Sequence, residues 1–122
     1  MTFRISEREL AGEVLVVELE GEGDLIAAPE LRRHIDDAIG RGATRLILDL
    51  SPATFVDSTA LGILVGALKR LRPRGGRIAV LCPDPAIRHV FEITGLDRVL
   101  PVVATLDEAL ADLELGAPPD QG

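Results

Sequence analysis

Apolar residues along this chain alternate with polar ones, run together, or recur at helical steps, and each pattern occupies its own stretch. Phe3-Arg4-Ile5 alternates as a short strand does. After a turn marked by Gly12, Val14-Leu15-Val16-Val17-Glu18-Leu19-Glu20 reads as a stronger strand, near enough to the first to pair with it as a hairpin. Gly21, Gly23 and Asp24 read as a loop. Pro29 suits the first turn of a helix, and Leu31, Ile35, Ala38 and Ile39 give that helix an apolar stripe up to Gly40. Gly42 ends the connection, and 45–50 is a buried strand built on Leu46-Ile47-Leu48 and closed by Asp49 and Pro52.

Between Ser58 and Leu71 the residues Leu61, Leu64, Val65, Leu68 and Leu71 recur at three- and four-residue steps, and Pro73 with Gly75-Gly76 stops this central helix. Arg77-Ile78-Ala79-Val80-Leu81 is a further buried strand. Asp84 and Pro85 open a helix that carries Ile87, Val90 and Phe91 on one side and closes at Gly95. The stretch 99–103 is a short strand that Pro101 confines to a sheet edge. Thr105 and Glu108 form a capping box ahead of Leu106, Ala109, Leu110 and Leu113. Residues 1–114 thus read as one domain and 115–122 as a disordered tail. The order is α/β: an antiparallel pair leads into helix-linked strands whose crossovers are long enough for parallel pairing. The pattern leaves open whether helices cover one face of the sheet or both.

Composition narrows the function classes. An apolar fraction of 47% in 122 residues permits a packed core, and with 3 Phe and no Trp or Tyr that core is built from Leu, Ile, Val and Ala. A net charge of −7 argues against direct nucleic-acid binding and against an anionic membrane surface. The single Cys82 rules out an internal disulfide, and no secretory signal or membrane-length apolar run is present, so a cytoplasmic protein without a membrane span is expected.

Enzyme chemistry finds little support in the motifs. His34 and His89 fall on helices beside charged neighbours, without metal-ligand spacing, and no metal or cofactor is expected. Ser58 has Val56 and Ala60 where a nucleophile elbow needs glycines. No Gly-Lys-Ser/Thr sequence marks a phosphate loop. Asp49 ends a buried strand as a phospho-accepting aspartate does, but the acidic pair and the lysine that such chemistry needs are missing; the one lysine is Lys69.

The central helix is more informative. Asp57 and Ser58 stand at its start, where four backbone N–H groups lack helical partners, so either residue suits a cap. Ser58 equally suits an exposed hydroxyl that receives and loses a phosphate. Opposite the leucine stripe lie Thr59, Gly62, Ile63, Gly66 and Arg70. Two interior glycines each cost about 1 kcal/mol against alanine. They serve either close packing on the sheet or a partner-docking surface beside Ser58, and the outward position favours docking. Asp24 is expected near that surface.

Phe55-Val56-Asp57-Ser58-Thr59-Ala60-Leu61-Gly62 resembles the signature of STAS domains, specifically the bacterial anti-sigma-factor antagonists. Gly21-Glu22-Gly23-Asp24 with Ala28-Pro29-Glu30-Leu31, then Ile93-Thr94-Gly95-Leu96-Asp97, then Leu106-Asp107-Glu108-Ala109-Leu110 resemble further segments of that family. The resemblance implies a single domain with a mixed, mostly parallel sheet and about four helices on one side. It implies a switch rather than an enzyme. Ser58 would be phosphorylated, in preference to Thr59, by a GHKL-type serine kinase that is itself the anti-sigma factor. A PP2C-type phosphatase would restore the binding form. The expected partner surface is Asp24, Asp57, Ser58, Thr59, Gly62, Ile63 and Gly66. A scaffold STAS domain without phospho-switching, in a stress-sensing or lipid-transport assembly, is the alternative.

Overall fold

The computed structural model describes residues 2–10 and 13–115. Its strands are β1 (Phe3–Leu10), β2 (Val14–Gly23), β3 (Arg45–Asp49), β4 (Ala53–Val56), β5 (Arg77–Leu81) and β6 (Val102–Val103). Its helices are α1 (Ala28–Gly40), α2 (Ser58–Leu71), α3 (Pro85–Thr94) and α4 (Leu106–Leu115). The expected tail lies outside the described residues, apart from Leu115, which ends α4.

The six strands form one sheet in the order β1-β2-β3-β5-β6, with β4 also pairing β2. Only β1 and β2 run antiparallel; the other pairs are parallel, as the crossover lengths require. β6 is an edge strand, as Pro101 demands, and the Pro101 carbonyl still accepts the Val80 N–H at 2.8 Å. β4 was not legible in the sequence. The chain leaves β3 at Leu50, turns through Ser51 and Pro52, and pairs β2 again beyond a register shift at Gly21/Glu22.

Gly21 carries that irregularity. Its φ is 88°, and a Cβ there would lie 2.4 Å from the Thr2 carbonyl oxygen. Both facts exclude a side chain, because the clash is with backbone that has no room to retreat.

Side chains along the central strands alternate between two buried faces. Leu15, Val17 and Leu19 of β2, Leu46 and Leu48 of β3, and Ile78 and Val80 of β5 join the larger core, which α1, α2 and α3 cover. Val14, Val16, Ile47, Ala79 and Leu81 point the other way, onto Ala109 and Leu113 of α4. The helices therefore do not all lie on one side: three cover one face and α4 the other. Uninterrupted apolar runs such as Leu46-Ile47-Leu48 have this physical meaning, since a strand with one wet face alternates instead.

Local chemistry sets the helix ends. Asp84 caps α3 by accepting the Ala86 N–H at 2.9 Å, and Gly95 closes it at φ 77°. At α4 the Thr105 hydroxyl accepts the Glu108 N–H at 3.2 Å, but Glu108 reaches back to the Ala104 N–H rather than to that of Thr105. Cys82 is a buried free thiol whose burial raises its pKa.

His34 of α1 faces β1, with Nδ1 2.5 Å from the Glu7 carboxylate, and Arg41 donates to the same carboxylate at 3.1 Å. An ionised carboxylate only accepts, so the ring proton sits on Nδ1. The His34 hydrogen bond, with help from Arg41, lowers the Glu7 pKa from its ordinary value despite partial burial. A lowered native pKa stabilises the fold above the ordinary carboxylate range, and the benefit is lost as pH falls through the native value. Glu7→Gln is thus expected to cost about 1 kcal/mol at neutral pH. Urea unfolding should find the gap between variant and parent shrinking as pH falls below the ordinary carboxylate range, and a gap that stays constant on acidification would count against this account.

Candidate functional site

The start of α2 is assembled from three pieces of chain. β4 delivers its last residue, Val56, into the core, and Asp57 follows with extended backbone. The Asp57 carboxylate accepts the N–H of Thr59 at 2.9 Å and that of Ala60 at 3.4 Å, so Asp57 is the cap. Ser58 is left as the first helical residue, exposed, and no hydrogen bond to its hydroxyl occurs among the described residues. Thr59 is half-buried.

β2 supplies the second piece. Gly23 pairs with Val56 in parallel register, and its carbonyl accepts the Asp57 N–H at 3.0 Å. Asp24 follows directly and so comes beside Asp57. A Cβ on Gly23 would lie 2.6 Å from the Leu19 side chain and 3.3 Å from the Phe55 carbonyl oxygen, which shows how closely the two strand ends approach.

The third piece is the loop from β2 to α1. Asp24 accepts the N–H groups of Ile26 at 3.0 Å and Ala27 at 3.2 Å, and its carbonyl accepts the Ala28 N–H. This Asx turn fixes the loop in a conformation that leaves Leu25 68% and Ile26 61% exposed. Phe55 on β4 is half exposed as well. Sequence reading missed this apolar rim. The available signal was two adjacent aliphatic residues, Leu25-Ile26, outside any periodic stretch, and periodicity says nothing about which way a loop side chain turns.

The outer side of α2 continues the surface. Gly62 and Gly66 are exposed, and a Cβ on either would meet nothing within 4 Å. Neither glycine is needed for packing within the chain. With Ile63, Arg32 and Arg70 they line a shallow depression of about 160 Å³ between α1 and α2. Ile63 is only half-buried and packs partly on the main core. Arg70 is held in an ion pair with Asp36 at 2.6 Å, which Arg32 joins at 3.7 Å. Gly62→Ala and Gly66→Ala are each expected to raise the unfolding free energy by about 1 kcal/mol, measured by urea denaturation. A loss of stability would mean that the glycines serve the fold after all.

The other sequence candidates lie apart from this surface. His34 belongs to the Glu7 cluster, and His89 lies on α3 with Glu92 3.3 Å away. Buried Asp49 accepts the Ser51 N–H at 2.9 Å in the turn after β3. No group of His, Cys, Asp or Glu among the described residues is arranged to hold a metal ion.

The sequence model of the STAS domain matches residues 6–109. The chain belongs to the STAS domain family. A curated relative, the anti-sigma F factor antagonist of Paenibacillus polymyxa, is 32% identical over 84% of this chain and 88% of its own. Among solved structures, an anti-sigma factor antagonist from Mycobacterium paratuberculosis superposes with a TM-score of 0.85 at 32% identity, covering 93% of this chain and 95% of that one. The anti-sigma factor antagonist SpoIIAA has been solved in two forms, each 32% identical to this chain. The unphosphorylated form gives a TM-score of 0.77 over 95% of this chain and 100% of its own. The phosphorylated form, described as a Bacillus cell fate determinant, gives 0.68 over 88% and 96%. No helix among the described residues is long and apolar enough to cross a membrane.

Proposed function

We propose that this STAS protein is a cytoplasmic anti-sigma factor antagonist, acting as a switched binding partner rather than as an enzyme. In its unmodified form it docks on a GHKL-type anti-sigma serine kinase through Asp24, Asp57, Ser58, Thr59, Gly62, Ile63 and Gly66, and so releases a sigma factor. Phosphorylation of Ser58 by that kinase ends the binding, and a PP2C-type phosphatase restores it. The observation that carries this reading is the Ser58 hydroxyl, exposed and without a hydrogen bond among the described residues because Asp57 has taken over the cap. Thr59 is the poorer acceptor, being half-buried in the first turn. The likeness to a relative solved in both unphosphorylated and phosphorylated forms supports the same reading.

The test uses the full chain and its Ser58→Ala variant as baits in a lysate of the native host, followed by incubation of the captured material with ATP and Mg²⁺. The expected result is a captured serine kinase that adds one phosphate to Ser58, located by peptide mass spectrometry, and none to the variant. Capture of proteins without kinase activity, or phosphate on another residue, would favour the scaffold reading instead.

A further inference from the structure

Five of the thirteen basic residues, Lys69, Arg70, Arg72, Arg74 and Arg77, fall within nine positions with no acid among them, in a chain of net charge −7. The stretch runs off the C-terminal end of α2 and into β5. At 1.5 Å per residue, that end of the helix is about 20 Å from Ser58. Cations there complement the helix dipole, which accounts for Lys69 and Arg70 in the last turn. Arg70 is also paired with Asp36, and Arg74 donates to the Ile39 carbonyl at 3.3 Å.

Arg72 and Arg77 are different. Neither side chain makes an ion pair or hydrogen bond among the described residues, and both line one solvent-open cavity of about 260 Å³ between the end of α2, the start of β5 and α4. Arg77 is half-buried, and the parallel register sets it beside Arg45 of β3. Leu68, Ile78 and the exposed Val99 are apolar lining residues, and Asp112 of α4 is the one carboxylate among the lining residues. Two guanidinium groups against one carboxylate leave the lining positive.

We propose that this cavity binds a small amphiphilic anion, with Arg72 and Arg77 on an anionic head and Leu68, Ile78 and Val99 on a compact apolar body. A guanidinium matches the oxygens of phosphate and carboxylate alike with paired donors, so the head is one of these two. Size restricts the body. The volume lies just below the range of about 300–1,000 Å³ typical of drug-sized ligands, which suits a single-ring molecule.

The test is a titration of the ¹⁵N-labelled full chain with phenyl phosphate, benzoate and inorganic phosphate, followed by amide shifts. The expected result is saturable movement of the Gly75, Gly76 and Arg77 signals with phenyl phosphate, benzoate or both, the stronger binder identifying the head. Inorganic phosphate should bind about tenfold or more weakly, since it lacks the apolar body. Arg72→Gln and Arg77→Gln should each weaken binding by about tenfold or more. Arg72 is exposed, so its replacement leaves the fold intact, and the remaining amide signals verify this for both variants. The proposal is overturned if neither organic anion saturates below about 10 mM, if inorganic phosphate binds as tightly, or if the shifts persist unchanged in the Arg variants. None of these outcomes depends on what happens at Ser58.

Discussion

Ser58→Glu is expected to weaken binding to the anti-sigma partner by about 100-fold while leaving the unfolding free energy within about 0.5 kcal/mol of the parent. The two effects separate because of how the helix start is built. A negative charge at a helix N-terminus is ordinarily favourable by about 0.3–1 kcal/mol, since free N–H groups point at it. Here the Asp57 carboxylate already occupies the Thr59 and Ala60 N–H groups. A second negative charge one residue later finds those donors taken and Asp57 as a neighbour, so the helix neither gains nor loses much. The charge instead stays outside the domain, on a surface flanked by Asp24, Leu25 and Ile26. A partner closing over those apolar residues must strip water from it, and an unpaired charge in a desolvated interface costs several kcal/mol. A factor of 100 in affinity needs only about 2.7 kcal/mol. A phosphate, with roughly 1.5–2 negative charges, should act more strongly than Glu. Calorimetric titration against the purified partner, with urea unfolding of both proteins, tests this. Unchanged affinity in a folded Ser58→Glu protein would remove the switch from the reading.

Much of the fold could be read from the chain because its signals are local. The periodic stripes of α1 to α4, the turn glycines and the edge-confining Pro101 each act within a few residues. What escaped depends on the far side of the molecule. The four-residue β4 has burial at its two ends and exposure between them, which is no strand period at all; its place comes from pairing with β2. The seat of α4 on the opposite sheet face follows from Val14, Val16, Ile47 and Ala79 needing cover. At the candidate site, the sequence narrowed the cap to Asp57 or Ser58 but not further, because both side chains are chemically able to accept an N–H. The structure decides for Asp57, and it brings Asp24 alongside through the Gly23–Val56 register. Gly62 and Gly66 were readable as oddities from helix propensity alone, whereas their open surroundings required the fold.

The replacement of Leu25 and Ile26 together by serine is expected to reduce partner affinity by about 100-fold or more, with the fold as stable as before. Each side chain is more than half exposed, so truncation removes little that folding had buried, and surface changes of this sort stay within about 0.5 kcal/mol. The loop itself does not rely on them: Asp24 holds it through the Ile26 and Ala27 backbone N–H groups, which serine retains. In the complex the balance is reversed. Two aliphatic side chains on a loop already fixed in place lose little conformational freedom on docking, and anchors of this kind contribute about 2 kcal/mol or more when a partner buries them. Val99→Ser is the matched control, an exposed aliphatic at the far end of α2, and should leave affinity unchanged. If the double variant binds as well as the parent, docking does not use this loop, and the surface must be redrawn along Gly62 and Gly66 alone. If it fails to bind yet is still phosphorylated on Ser58 at the parental rate, the kinase reaches the hydroxyl without the apolar rim, and the rim serves only the long-lived complex that frees the sigma factor.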